Sequence, residues 1–258
     1  PMSQSFSLHG KRGLVVGIAN ESSIAYGVAK TIRAYGGEVA VTYLNAKAEK
    51  FVRPLAEGLG APIIMPCDVS QPGELEAVFD KMKACWGGID YVVHSIAFSP
   101  LNELHGRLVD STPEGFGIAM DVSCHSFIRM ARLAEPLMPN GGTLLAMSYY
   151  GAEKVIEHYD LMGPVKAALE SSVRYLAAEL GPNNIRVNCI SPGPMLTRAA
   201  SGIKDFDELM NGATVRSPLG RLATPEDVGR LAAFYIAETG SNITGNIGFV
   251  DAGYHVVG

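Results

Sequence analysis

Gly13-Leu14-Val15-Val16-Gly17-Ile18-Ala19-Asn20-Glu21-Ser22-Ser23-Ile24-Ala25-Tyr26-Gly27 sets an unbroken apolar run directly before a glycine-bearing polar loop. An apolar run without alternation suits a strand covered on both faces, as in a parallel sheet under helices. In such a sheet ligands bind beyond the carboxyl ends of the strands, where a helix N-terminus offers free N–H groups to a pyrophosphate. The stretch is not a G-x-G-x-x-G match. Gly17 supplies a tight turn, Ser23 a hydroxyl and an N–H, and Gly27 a close helix–strand approach. Taken alone, these residues also describe an ordinary strand-to-helix loop.

Outward from this stretch, six more short apolar runs lie near residues 38–43, 62–66, 91–95, 143–147, 185–190 and 247–250. Amphipathic segments separate them. Leu75, Val78, Phe79 and Met82 follow the i, i+3, i+4, i+7 rule, and Phe127 to Leu137 and Ala167 to Leu180 read as helices too. Seven strands with intervening helices predict an α/β fold: a doubly wound, seven-stranded parallel sheet with helices on both faces. No repeat or linker divides the chain, so residues 1–258 are read as one domain. Proline and glycine interrupt residues 192–212, a stretch that predicts a lid over the strand ends.

With 258 residues, 47% of them apolar, the chain can bury a full core. Its net charge of −5 gives no reason to expect nucleic acid or an anionic membrane. Cys67, Cys85, Cys124 and Cys189 are far apart and the six His have no ligand spacing, which predicts reduced core thiols and no metal. No apolar run approaches a membrane span, and a cytoplasmic protein is expected.

Chemistry concentrates after the run at 143–147, which ends in Ser148. Tyr159 and Lys166 follow, seven positions apart. On one helix they would share a face, and an ammonium beside a phenol favours phenolate. A phenol so placed can also donate to an oxygen that gains negative charge. Pro164 lies between them, so either the helix starts near Asp160 as N-cap or it kinks.

Together, Gly17-x5-Ser23-x3-Gly27, His94-Ser95-Ile96-Ala97, Ser148-Tyr149, Tyr159-x6-Lys166 and Ser191-x-Gly193-Pro194-x2-Thr197 resemble the bacterial NADH-dependent enoyl-acyl-carrier-protein reductases. These are divergent short-chain dehydrogenases/reductases. The likeness runs from about Ser7 to Tyr254. It implies a Rossmann fold, a homotetramer, and hydride reduction of the trans-2 double bond of an acyl thioester bound to acyl carrier protein. By the same resemblance, Tyr159 hydrogen-bonds the thioester carbonyl, Lys166 holds the nicotinamide ribose, and Tyr149 supports the substrate. Met162 and Ser99 line the acyl side. Gly17, Ser23, Ile24, Asp68, Val69, Ser95 and Ile96 contact the dinucleotide, with Asp68 and Val69 at the adenine. Met195, Leu196, Thr197, Arg198 and Ala199 contact the nicotinamide end and form the lid.

Two other readings compete. Carbonyl-reducing members of the superfamily carry Tyr-x3-Lys, but position 163, where that lysine would stand, is Gly163. A non-catalytic dinucleotide sensor would have no use for Tyr159 and Lys166 together. Two departures from the family pattern bear on partners. Leu44 stands where an acid would read the adenosine ribose; NADH is expected, with NADPH left open by Lys47 and Lys50. Lys204-Asp205-Phe206-Asp207-Glu208 is net negative, which predicts weak docking of an acidic carrier, carried by Arg198, Lys204 or Arg216.

Overall fold

The computed structural model describes residues 6–195 and 206–258. Seven strands form one sheet: β1 (Arg12–Val16), β2 (Glu38–Tyr43), β3 (Ile63–Pro66), β4 (Tyr91–His94), β5 (Gly142–Met147), β6 (Ile185–Pro192) and β7 (Ile247–Val250). All pair in parallel, in the order β3-β2-β1-β4-β5-β6-β7. Strand order reverses between β1 and β4, which opens the crevice where doubly wound sheets bind ligands.

Side-chain alternation splits the core. Leu14, Val16, Val92, Leu144 and Val187 face one way, against helices α3 (Glu74–Trp86), α6 (Ser126–Ala134) and α7 (Met162–Leu180). Val15, Val41, Val93, Leu145 and Ile190 face the other, against α1 (Ile24–Ala34), α2 (Ala46–Gly58) and α9 (Pro225–Ile236). Each strand is therefore apolar on both faces, which is why the sequence shows runs and no alternation. The remaining helices are α4 (Leu101–Leu104), α5 (Pro113–Met120) and α8 (Phe206–Arg216). The predicted lid overlaps the start of α8, while residues 196–205 lie outside the described part. Asp207 and Glu208 sit in the first turn of α8, where carboxylates offset the positive end of the helix dipole.

Several local predictions are corrected. Gly27 serves a helix–helix approach, not a helix–strand one: a Cβ there would strike Pro225 at the start of α9. Gly229 of α9 is equally tight against Thr31 of α1, so the two helices cross through small residues. Thr224 and Asp227 close a reciprocal capping box that starts α9 at this crossing. The apolar helix ending at Leu137 breaks into α6 and a 3-10 turn, Glu135–Leu137, because Pro136 cannot continue the ladder. Cys85 is an exposed thiol, unlike the buried Cys67, Cys124 and Cys189.

The backbones of β1 and β4 approach closely just past their ends. Gly17 has φ +122°, and a Cβ on it would overlap the Ser95 carbonyl. Ser95 N donates to Val16 O at 2.9 Å, so neither segment can yield. Gly17→Ala is expected to destabilise the protein by roughly 2–4 kcal/mol, through a forbidden φ and a backbone clash. Urea unfolding monitored by circular dichroism measures this, and a loss under 1 kcal/mol would contradict it.

Candidate active site

Because the strands are parallel, the loops following them open on one edge of the sheet. Gly17 to Ser23 follow β1, Asp68 and Val69 follow β3, Ser95 and Ile96 follow β4, and Ser148 and Tyr149 follow β5. Ser191 is near the end of β6. The motifs dispersed through the sequence thus meet at the crevice beside the strand-order reversal.

At the β1 end, Ser23 Oγ accepts from Ala19 N at 3.0 Å and Asn20 N at 3.1 Å, which folds the loop over the start of α1. Its hydroxyl hydrogen stays available. The first N–H groups of α1, on Ile24 and Ala25, have no intrahelical partner, as at any helix start. This combination suits a phosphate group.

At the β3 end nearly every polar group is committed. Asp68 N donates to Glu74 Oε2 at 2.7 Å, and Asp68 Oδ1 accepts from Ser70 N at 2.9 Å and Ser70 Oγ at 2.6 Å. Val69 O accepts from Arg129 at 2.9 Å. What remains is the Val69 N–H and the second Asp68 oxygen, a donor next to an acceptor.

The catalytic candidates gather at the β5 end. Lys166, in the second turn of α7, is 5% exposed and donates from Nζ to Met147 O at 2.8 Å. Burial lowers its pKa from 10.5 to about 8, against the pull of Cys189, Cys124 and Glu170. Tyr159 is not on this helix. It lies in the turn before it, between His158 at φ +64° and Asp160 at φ +42°, both left-handed. The expected cap at Asp160 is corrected: α7 starts at Met162, with Leu161 preceding it. Pro164 falls in the first turn, where its missing N–H costs nothing. The carbonyls of Tyr159 and Asp160 accept from Met162 N and Gly163 N, both at 3.0 Å.

Tyr159 packs against the apolar group of Ala119, Leu161, Met162 and Val165. Its ring meets Tyr149 edge-on, with centroids 4.8 Å apart and planes at 67°. Gly151 lies against the same ring and has no room for a Cβ. Burial first, then repulsion from Tyr149, pushes the Tyr159 phenol above its usual pKa, and burial then Tyr254 pushes Tyr149 up to about 12. The phenolate expected from a neighbouring ammonium is therefore not favoured. Desolvation dominates at both rings, and both tyrosines remain neutral donors at physiological pH.

Among the described residues, three buried polar atoms here lack a hydrogen-bond partner: His94 Nδ1, Ser148 Oγ and Ser191 Oγ, on or just after β4, β5 and β6. Ser126 Oγ donates to Val122 O at 2.7 Å, so it accepts from His94 Nε2 at 2.7 Å, which assigns the proton to Nε2 and leaves Nδ1 an acceptor. Burial and the Lys166 charge hold His94 neutral, with a pKa near about 3. Burial raises the Glu170 carboxyl, one turn beyond Lys166, and Glu153 adds to it. Unpartnered polar atoms at such an edge are costly unless a polar ligand satisfies them. Together with the phosphate cradle, they fit a dinucleotide lying across the strand ends.

Other candidates are less central. Ser99 is buried and its hydroxyl turns toward Pro100 O at 3.4 Å. Met195 is buried in the core on the α1 face of the sheet, with Ile18 and Met147. Leu196, Thr197, Arg198, Ala199 and Lys204 lie outside the described residues. Arg216 is engaged, stacked over Tyr254 at 4.9 Å and donating to Val257 O at 2.8 Å. Sequence reasoning missed the segment before α6. Residues Asp121–His125 form one π-helical turn, from which Ser123 Oγ accepts from Phe98 N and donates to Phe98 O, both at 2.9 Å. The available signal was Ser123 and Ser126, hydroxyls three apart inside an apolar helical run.

A parallel sheet with a phosphate cradle at its first strand and a Tyr–Lys pair at its fifth defines an oxidoreductase of the short-chain dehydrogenase/reductase type. A family profile described as enoyl-(acyl carrier protein) reductase matches residues 17–255, and the chain belongs to that family. It is 46% identical over 251 residues to enoyl-[acyl-carrier-protein] reductase [NADH] 1 of Rhizobium meliloti (strain 1021), covering 97% of this chain and 92% of the relative. Among solved structures, the Anaplasma phagocytophilum reductase in complex with NAD aligns at TM-score 0.93 and 50% identity, over 97% of this chain and 95% of the other. The Bacillus cereus enoyl-acyl carrier protein reductase with NADP+ and indole naphthyridinone aligns at TM-score 0.94 and 40% identity, over 97% and 98%.

Lys166 also gives the fold a pH dependence. The unfolded chain holds the lysine proton more tightly than the folded one, so burying the ammonium opposes folding below pH 8, and this opposition fades as pH rises from about 8 through 10.5. Between pH 7.5 and 9.5, wild type should gain on the order of 2 kcal/mol relative to Lys166→Met in urea unfolding. A pH-independent difference would show that the ammonium is not desolvated.

Proposed function

We propose that this chain reduces the trans-2 double bond of enoyl thioesters on acyl carrier protein with hydride from NADH, as in the last step of a fatty-acid elongation cycle. The observation that carries this reading is the pair of neutral, edge-to-face tyrosines, Tyr149 and Tyr159, at the same strand end as the buried Lys166 ammonium, in a chain of this family.

Bound NADH supplies the hydride to C3 of the substrate. Electrons then move onto the thioester carbonyl, whose oxygen becomes enolate-like. Tyr159 donates its phenolic hydrogen to that oxygen, and a single donor of this kind contributes roughly 3–4 kcal/mol of transition-state stabilisation. A raised pKa suits the role, because the phenol must keep its proton until charge develops. Tyr149 packs Tyr159 in place and borders the substrate. Met162 and Ser99 lie on the acyl side. Lys166 spends one N–H on Met147 O and has two left for the ribose hydroxyls of the cofactor.

Gly17, Ser23 and Ile24 take the pyrophosphate, Asp68 and Val69 the adenine, and Ser95 and Ile96 the middle of the dinucleotide. Leu44, 54% exposed, offers no charge to the adenosine ribose, consistent with NADH. Carbonyl reduction is disfavoured by Gly163: a Cβ there already comes within 3.1 Å of Gly151 O, leaving little room for the lysine that chemistry uses. We assign residues 1–258 to one cofactor-binding and catalytic unit, with 192–212 as its lid, in a cytoplasmic enzyme. No helix among the described residues is long and apolar enough to cross a membrane. Exposed Asp207 and Glu208 within the lid oppose an acidic carrier, and docking is correspondingly weak.

With crotonyl and longer enoyl thioesters, Tyr159→Phe should lower kcat by about 10²–10³ with the KM for NADH little changed. Wild type should prefer NADH over NADPH by tenfold or more in kcat/KM. Full kcat in Tyr159→Phe refutes the donor role, and absent NADH oxidation despite NADH binding revives the sensor reading. A homotetramer is part of the same proposal, since Phe116, Ile118, Tyr175 and Val215 leave apolar surface for other copies to cover. Light scattering should give a mass near four times 27.4 kDa, whereas a monomer would refute it.

A further inference from the structure

We infer that Arg129 is a positioning residue that sets the adenine selectivity of the cofactor site, by clamping the Val69 carbonyl from behind. This rests on the dinucleotide reading above but names a residue outside the contact set.

Arg129 is in the first turn of α6 and reaches across to the loop after β3. Its guanidinium makes three contacts: Val69 O at 2.9 Å, Asp121 Oδ1 at 2.6 Å and His125 Nδ1 at 2.9 Å. Asp121, His125 and Arg129 are spaced by four. In a regular α-helix each step of four turns the side chain by roughly 40° beyond a full circle, so positions eight apart diverge. The π-helical turn at Asp121–His125 is wider and removes part of that drift, which brings Asp121 and His125 to one guanidinium. An arginine held by a carboxylate and an imidazole has few rotamers left. Its hydrogen bond to Val69 O therefore fixes the Val69–Ser70 peptide, whose Ser70 N–H holds Asp68 Oδ1 at 2.9 Å.

That peptide matters because it sets the direction of the Asp68 carboxylate, while the Val69 N–H belongs to the preceding peptide, whose Asp68 carbonyl accepts from Gln71 N at 3.0 Å. With Val69 O, Asp68 N and Asp68 Oδ1 all occupied, the loop offers one donor, the Val69 N–H, next to one acceptor, Asp68 Oδ2. Adenine shows the complementary pair on one edge: ring N1 accepts and the 6-amino group donates. Hypoxanthine, with N1–H and a 6-carbonyl, reverses both. Selectivity between them depends on Asp68 Oδ2 being held in place beside the Val69 N–H, since a mobile carboxylate could turn away from the mismatch.

The test compares NADH with its hypoxanthine analogue, using direct binding by fluorescence titration and, separately, enoyl turnover. Wild type should bind NADH at least tenfold more tightly than the analogue. In Arg129→Leu the affinity for NADH should fall about five- to tenfold and the preference should shrink to threefold or less, with the turnover defect appearing in KM for NADH and not in kcat. Arg129→Lys, which keeps one donor, should fall between. Arg132→Gln, an exposed position on the same helix, serves as the control. An unchanged preference in a folded Arg129→Leu variant overturns the proposal, as does equal weakening toward both cofactors. If wild type discriminates in binding yet turns over no enoyl thioester, the function assigned above fails while the clamp stands.

Discussion

The Lys166 ammonium is buried and anchored on the Met147 carbonyl at the end of β5. An isolated ammonium in such a place is strongly disfavoured, so its proton is loosely held, and its field reaches His94, Cys124, Cys189 and Glu170. That one bond ties α7 to the sheet at the point where the strand ends open. The direction left for the remaining lysine N–H groups follows from it, and the charge it fixes adds to burial in keeping His94 neutral.

Neighbouring parts of the site are held by contacts that the chemistry does not use. Two left-handed residues, His158 and Asp160, bring Tyr159 round to the face of Tyr149, a conformation that costs on the order of 1–3 kcal/mol per residue. Packing of Tyr159 against Gly151 and the cluster around Met162 offsets it. On the far side of the crevice, the π-helical turn supplies Ser123 to the Phe98 backbone and helps aim Arg129 at Val69 O. An irregular turn in a helix is thus placed where two binding loops need anchors, as such turns often are.

Close backbone approach is the other recurring device. Gly17 lets β1 and β4 pass near each other at the crevice, and Gly27 with Gly229 lets α1 cross α9. Both bring the start of α1 to the phosphate cradle. Side chains at these positions would move the cradle off the switch point of the sheet.

Much of this was legible in the sequence. Apolar runs sandwiched between helices announce their strands, because burial on both faces leaves no polar alternation, and all seven strands fall where such runs lie. The tight turn at Gly17 was legible too, from its place after β1. Spacing misled where the backbone left the helix: Tyr159 and Lys166, seven positions apart, do not share a helix face, because the helix starts at Met162. The pairing of Arg129 with Val69, sixty positions away, and the protonation of the two tyrosines had no local signature. Chain order and hydrophobic pattern determine which segments become strands and helices, since those depend on near neighbours. Hydrogen bonds across the sheet and the loss of water around a phenol depend on groups that only folding brings together, so the tertiary structure alone decided them.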